Sequence, residues 1–422
     1  MSKKEEKVAF NSVMDLNGQQ LKDLIKHYVH TNKVLHAQNK PAVSISIVGP
    51  AGIGKTSIEE QVGAELGMKV VKIDLGQLEE LGDLVGMPVK EFQIDKKKLV
   101  EGKIVTEEGS EKWVTENTLP LYLGAGYVQS GRYRTNTATP KWVEELTGPT
   151  LLIIDDFTRS SATFQTAIME LVRMQTYASW SLPKGSTIVM SENPDDGSYN
   201  VNTIDSAQRS RFVQFNMKFD VDTWAEWAES VRMDSRCISY VLLQRDLILT
   251  AMNNPEQKVN ARSLTNFFNS ICTIQDFSSK ESLSLINMIG HGCVGQVIAH
   301  NFVAEFINKG ADKMITPHQL LHDDSDKVFK RLEELIKPGK DNERPDIAAM
   351  LIFRIGNYLI SMCERGETIG KPINQRIIEI MESPIFGMDH KLRIFKNVVF
   401  HDKYGDKFHE ARTHKSIMQI AL

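Results

Sequence analysis

Gly49-Pro50-Ala51-Gly52-Ile53-Gly54-Lys55-Thr56 fits the pattern G-x-x-x-x-G-K-[ST]. It follows AVSISIV at 42–48, an apolar, β-rich run that reads as a buried strand. A segment with helical spacing, from about Thr56 to Leu66, comes after it. A glycine-rich turn between a strand and a helix has a definite physical use. Glycines let the backbone curl until its N–H groups converge on phosphate oxygens, and the helix N-terminus adds partial positive charge. Lys55 can bridge a β- and a γ-phosphate, and the Thr56 hydroxyl can hold Mg²⁺. At average residue usage, a chance match in a chain this long has a probability of about one per cent. The loop from Gly49 to Thr56 is therefore the candidate site for a nucleoside triphosphate.

On either side of the loop, KVVKIDL at 69–75, LLIIDD at 151–156 and STIVMSEN at 186–193 read as further strands, and 162–176 as a helix with an apolar stripe. Strands alternate with helices from 42 to about 219, which argues a parallel sheet covered on both faces. LLIIDD is an apolar strand ending in acid, and it lies about 100 residues after the loop, where such folds place it. That puts Asp155 beside the Mg²⁺ shell and Asp156 where it can orient or deprotonate an attacking water. Asn193, at the end of the next strand, can hold that water near the γ-phosphate. Arg209 and Arg211, in SAQRSRFV, can lend charge to a developing transition state in cis or from a neighbouring subunit.

The rest of the chain frames this core. Its 422 residues suggest two or three domains, and 50 Lys plus Arg against 54 Asp plus Glu is too even to indicate nucleic-acid or membrane binding from bulk charge. Four scattered cysteines form no CxxC pair, so neither a zinc site nor a disulfide framework is expected. The charged start, MSKKEEKVAF, is no signal peptide, and no run of about 18 apolar residues is seen, so a cytoplasmic protein without membrane spans is expected. Residues 18–38 read as an amphipathic leading helix closed by Pro41. Residues 76–140, rich in glycine and in β-prone pieces, read as an irregular insertion with hairpins. Beyond about 222 the spacing is helical, with helices near 222–232, 236–253, 262–275, 282–308, 317–337, 346–363 and 373–382; the tail 384–422 is left unassigned. The organisation expected is an N-terminal helix at 1–40, an α/β domain at 41–220, a helical domain at 221–310 and a helical region at 311–422.

The order of these pieces resembles an AAA+ ATPase of the MoxR type, in the branch related to dynein and McrB motors. The resemblance runs through IVGPAGIGKT, LLIIDDFTRS, SENPDDGSYNVNTIDSAQRSRF and FDVDTWAEWA, and covers about residues 40–320. Ala207, Gln208, Arg211 and Phe212 match the family's Ala-Gln-x-x-Arg-Phe element. The resemblance implies ATP with Mg²⁺ as ligands, Asn193 as the sensor-1 asparagine, and Arg211 as the arginine finger. It makes VNARSLTNFF the lid segment whose sensor-2 arginine is Arg262, and GHGCVGQVIAHNF a further part of the lid. It implies a P-loop AAA+ core with a helical lid, a homo-oligomeric ring (usually a hexamer) with sites between subunits, ATP hydrolysis, and remodelling of a protein client, commonly with a von Willebrand A-type partner. The same branch contains nucleic-acid motors, so nucleic acid stands as the alternative client. The family's acidic strand ends Asp-Glu where this one ends Asp155-Asp156, and its Asn-Arg is Thr158-Arg159 in this chain. The shorter acid favours a third reading, a slow or non-hydrolysing ATP-gated scaffold.

Smaller constellations point to less. His318 and His322 share a helical face but no third ligand pattern accompanies them. Trp224 and Trp227 read as core packing. Lys96-Lys97-Lys98 reads as a solvated turn or, with Phe92, Trp113, Tyr122, Tyr127 and Tyr133 nearby, as the lining of a pore; Gly82–Gly86 is a candidate pore loop.

Overall fold

The computed structural model describes residues 14–100, 103–177, 180–195, 201–254, 257, 259–307, 310, 314–338 and 343–419. The charged start, the stretch 196–200 within the family resemblance, and the Pro255 and Gly339 breaks lie outside the described residues. The chain divides into two compact units that meet between Lys218 and Phe219.

The first unit is built on β1 (Asp15–Leu16), β2 (Ile45–Val48), β3 (Lys69–Asp74), β4 (Pro88–Val100), β5 (Lys103–Thr106), β6 (Lys112–Thr115), β7 (Tyr127–Thr137), β8 (Thr150–Asp155), β9 (Thr176–Tyr177), β10 (Trp180–Ser181), β11 (Thr187–Glu192) and β12 (Val213–Met217). Six of them make one sheet in the order β1-β12-β2-β11-β8-β3, every pair parallel. Parallel strands need both faces covered, and the sequence provides for that. All six residues of β11, and the first five of β8, are buried. Helices Lys55–Glu65 and Ala162–Met174 connect the strands, and the second buries Ala167, Ile168, Met169, Leu171 and Val172 against them.

The leading helix, Gly18–Ala37, starts from a capping box of Asn17 with Gln20 and buries Leu21, Ile25 and Val29. Its buried Asn32 donates to the Val43 carbonyl and to Thr187, and accepts from the Val43 N–H, so one amide ties the helix to β11 and to the approach to β2. The helix stops before Pro41, at Ala37, and Asn39 follows it with φ of 54°.

The insertion is an ordered antiparallel sheet. β4 pairs with β5, β6 and β7. Hairpins were expected there, but a turn at the three lysines is not what forms: Lys96–Lys98 are strand residues within β4. Alternation explains the difference, since a lysine run can lie in a strand whose two faces both reach solvent. Leu81–Val85, within the candidate pore loop, is a short helix with Leu84 and Val85 buried; the indoles of Trp142 and Trp180 donate to their carbonyls.

The second unit is helical. Val221–Ser230, Ser235–Leu243, Arg245–Met252, Ala261–Ile271 and Lys280–His300 pack around one apolar cluster that holds Trp224, Tyr240, Phe267, Phe268 and Phe302. Pro317–His322, Ser325–Ile336, Pro345–Glu364 and Lys371–Glu382 pack around another. The tail left unassigned by sequence joins this second cluster through Ile394, Val398, Val399, Phe408, Ala411 and Ile417. One helix expected over 236–253 is two, broken at Gln244.

A buried ion pair links the two clusters. Arg354, 1% exposed, donates from Nε to Glu229 at 2.6 Å and from Nη1 to both the Ser235 carbonyl and the Ser239 hydroxyl. Two helical stretches, Lys280–Ile307 and Pro345–Glu364, are long and apolar enough to cross a membrane by length and composition alone. Pro345–Glu364 is mostly buried within its own unit, and the other stretch is broken by Gly295, with φ of 78°.

Candidate functional site

The C-terminal ends of β2, β11 and β8 lie side by side, because β11 is inserted between the other two. In an open parallel sheet ligands bind at that end. The loop Gly49–Thr56 leaves β2 there, Asp155 and Asp156 leave β8, and Asn193 leaves β11.

The loop is shaped by its glycines. Gly54 caps the helix with φ of 101°, a conformation that side-chain-bearing residues rarely adopt. Gly49 allows a close approach: a Cβ there would sit 2.7 Å from the Met217 carbonyl oxygen. The Gly49 N–H donates to the Glu192 carbonyl at 3.1 Å, which ties the loop to β11. Lys55 is buried, and its Nζ donates to the Gly49 and Pro50 carbonyls at 2.6 and 3.1 Å, folding the ammonium back over the loop.

The Thr56 hydroxyl donates to Asp155 Oδ2 at 3.0 Å, so two hard oxygen donors meet across the gap between the loop and β8. That pair fits a small divalent cation such as Mg²⁺, which takes oxygen ligands and one or two carboxylates. Lys72, projecting from β3, reaches the same Oδ2 at 3.1 Å.

Asp156 stands next to this pair with φ of 56°. The left-handed region is several-fold more accessible to Asp and Asn than to most residues, so aspartate suits this backbone. Its Oδ1 accepts from the Asn193 carboxamide at 3.0 Å, and its Oδ2 faces Arg159 at 3.3 Å. The structure thus brings Thr56, Asp155, Asp156 and Asn193 together with the loop.

It does not bring Arg211 there. Arg211 is exposed just before β12, at the opposite end of that strand from the loop. Its neighbour Arg209, also exposed, donates from Nε to the Ile204 carbonyl at 3.2 Å. Arg262 belongs to the second unit, exposed in the first turn of Ala261–Ile271, whose start is fixed by a capping box from Asn260 to Ser263.

Three functional neighbours were missed by sequence reading. Lys72 is one. Glu59, on the loop helix, is fully buried and accepts from the Ser191 hydroxyl at 2.8 Å. Burial pushes its carboxyl up to about 7, with nearby Asp155 adding to the rise while Ser191, Lys55 and Lys72 oppose it. Its other oxygen, Oε2, has no hydrogen-bond partner. Glu192, at the end of β11, is also raised to about 7 by burial, opposed by the Ser46 hydroxyl that donates to it and by Arg209. The signal available in sequence was slight: a serine in each of two apolar strands, Ser46 and Ser191, able to face an acid.

Comparison with known proteins adds local and distant likenesses. No family model matches the chain. Lon protease of Aquifex aeolicus (strain VF5) is 32% identical over 68 residues, 16% of this chain and 9% of Lon's own length. Two solved structures of RuvB from Thermotoga maritima, a point mutant and the Holliday junction branch migration motor, are similar at 11% and 12% identity. They cover 93% of this chain and 89% and 87% of their own, with TM-scores of 0.28 and 0.29. The glycine-rich loop at the end of β2, the acidic end of β8 and the all-parallel sheet give the first unit the architecture of a P-loop nucleotide-binding core, and a helical unit follows it in the chain.

Proposed function

We propose that this chain is an ATP hydrolase of AAA+ type, in its MoxR branch, working as a homo-oligomeric ring. The observation that carries the reading is the meeting of Thr56 and Asp155 beside a loop whose lysine is already folded over it. Backbone N–H groups of the loop bind the phosphates, and Lys55 exchanges the Gly49 and Pro50 carbonyls for β- and γ-phosphate oxygens. Thr56 and Asp155 hold Mg²⁺, which neutralises charge on the phosphates when bound. Asp156 and Asn193, already hydrogen-bonded to each other, hold the attacking water in line, and the Asp156 carboxylate accepts its proton.

Arg211, exposed and at the end of β12 away from its own loop, completes the site of a neighbouring protomer. Arg262 reads the γ-phosphate from the lid of its own subunit, and the lid moves with nucleotide state to act on a protein client. Binding of Mg-ATP to the purified chain, measured by calorimetry, and its assembly with nucleotide, measured by light scattering, test this reading. Lys55→Ala is expected to lose binding. A Lys55→Ala protein that binds Mg-ATP with unchanged affinity would remove the site from consideration.

A further inference from the structure

The two faces of the insertion sheet carry different chemistry. Residues paired across antiparallel strands share a face, and alternate residues of one strand take opposite faces. Phe92 pairs with Val114 and Tyr133, Ile94 with Lys112 and Gln129, Lys96 with Tyr127, and Lys90 with Thr135. Among the described positions paired in this way, one face holds Lys90, Lys96 and Lys112 and no acidic residue; Glu107, whose N–H donates to the Lys96 carbonyl, lies at its edge. The opposite face holds Glu91, paired with Thr115 and Arg134, and Asp95, paired with Val128.

On the first face each lysine lies over a ring. Lys90 Nζ is 4.5 Å from the Tyr133 ring centre and 5.2 Å from that of Phe92, Lys96 is 4.9 Å from Tyr127, and Lys112 is 5.7 Å from Tyr127. Tyr133 is 67% exposed. From Lys90 to Lys96 the strand covers about 20 Å, with Ile94 and Val114 buried between the Lys90–Tyr133 end and the Lys96–Tyr127 end.

We propose that this face binds single-stranded nucleic acid. Strand-bound rings flanked by flexible ammonium groups are what a sequence-tolerant single-strand site requires: rings stack on bases and cations follow the phosphates. A lysine resting on an exposed ring is weakly held there, and a base stacks more strongly than the lysine it displaces, which frees the ammonium for a phosphate. The chain is slightly acidic as a whole, so the attraction is confined to this face rather than spread over the surface. An acidic polypeptide would use the lysines and leave the rings idle; the rings, Tyr133 exposed and Tyr127 half-buried beside Tyr122, are what favour nucleic acid. The inference stands on the insertion alone and does not need the nucleotide site.

The test uses the full chain without nucleotide, and a fluorescein-labelled 20-mer of thymidine followed by anisotropy. The wild type is expected to bind, with a log–log salt slope of about −2 from three lysines. Tyr127→Ala with Tyr133→Ala is expected to weaken binding about tenfold or more per ring. Lys90→Glu, Lys96→Glu and Lys112→Glu together abolish it; the milder Lys→Gln triple, which reverses no charge, follows the same order should the first not fold. Arg134→Gln, on the other face, leaves binding unchanged, and so does Lys55→Ala, which separates this inference from the fate of the nucleotide site. Any of three results overturns it: a folded wild type that ignores the oligonucleotide at low salt, a tyrosine double variant that binds like wild type, or poly-glutamate that competes as well as the thymidine oligomer.

Discussion

The Asn193 carboxamide donates to Asp156 Oδ1 across 3.0 Å, joining the ends of two neighbouring strands at the point where a lytic water would stand. The contact fixes which Asp156 oxygen is occupied and turns the acid toward β11. If that pair holds the water, Asp156→Asn and Asn193→Ala should each lower turnover about 10²-fold or more while leaving Mg-ATP affinity near wild type. Steady-state hydrolysis read beside calorimetric binding checks this. Turnover unchanged in both variants would place the proton acceptor elsewhere.

Arg211 lies outside its own site, so its removal should spare binding and stop hydrolysis. Arg211→Ala is expected to bind Mg-ATP normally and to lose about 10³-fold in turnover. Mixing it with Lys55→Ala subunits offers a sharper reading. In a ring whose sites are shared between subunits, as proposed, each variant lacks a different half of a site, so mixed rings should recover partial activity. Mixtures as inactive as either parent would mean that Arg211 does not act across subunits.

The raised Glu59 carboxyl makes stability depend on pH. Its folded value, about 7, exceeds the ordinary 4.5, so the folded state holds the proton more tightly than the unfolded state. Stability is then greatest below about pH 4.5 and falls as pH rises to about 7, by about 3 kcal/mol from this group. Glu59→Gln removes the titration and keeps an acceptor for Ser191. Relative to wild type, the variant should gain stability between pH 5 and pH 8, as read by urea unfolding without nucleotide. An equal difference at both pH values would mean that ionisation of Glu59 is not what lowers stability. Asp155, Lys55 and Lys72 face this carboxyl and are left untouched by the change.

Arg354 tests the second unit. Arg354→Met leaves Glu229 buried without a counter-charge and should cost about 3–5 kcal/mol of unfolding free energy. Adding Glu229→Met should restore most of that loss, because an apolar pair needs no compensation. Thermal unfolding of the two variants decides it. A double variant as unstable as the single one would show that the hydrogen bonds to Ser235 and Ser239 matter more than the charge.

Much of the core was legible because its residues are unambiguous. β8 and β11 are built on apolar runs, Leu151–Ile154 and Ile188–Met190, and runs of that kind are strands of a covered sheet. The loop announced itself through glycine geometry, and Asp155 and Asn193 followed from where those strands end. What escaped notice had mixed signals. Glu59 stands beside Glu60 on a helix with little amphipathic contrast, so nothing marks which of the two is buried. Lys72 looks like the exposed member of an alternating strand, and only the pairing of β3 with β8 puts it beside Asp155. The break at Gln244 has no proline or glycine to signal it. Arg354 was visible as one charge within the apolar run MLIFRIG, but its partner lies 125 positions earlier.

Lys72 and Thr56 both occupy the same Asp155 oxygen. A free divalent ion arriving alone must evict an ammonium and gains only one carboxylate and one hydroxyl for doing so. Accompanied by a polyphosphate it brings its own compensation, since the displaced ammonium finds new anionic company close by. Occupancy should therefore be ordered: bare Mg²⁺ is turned away and the chelate is admitted, so the chain ignores the ion until it comes attached to its substrate.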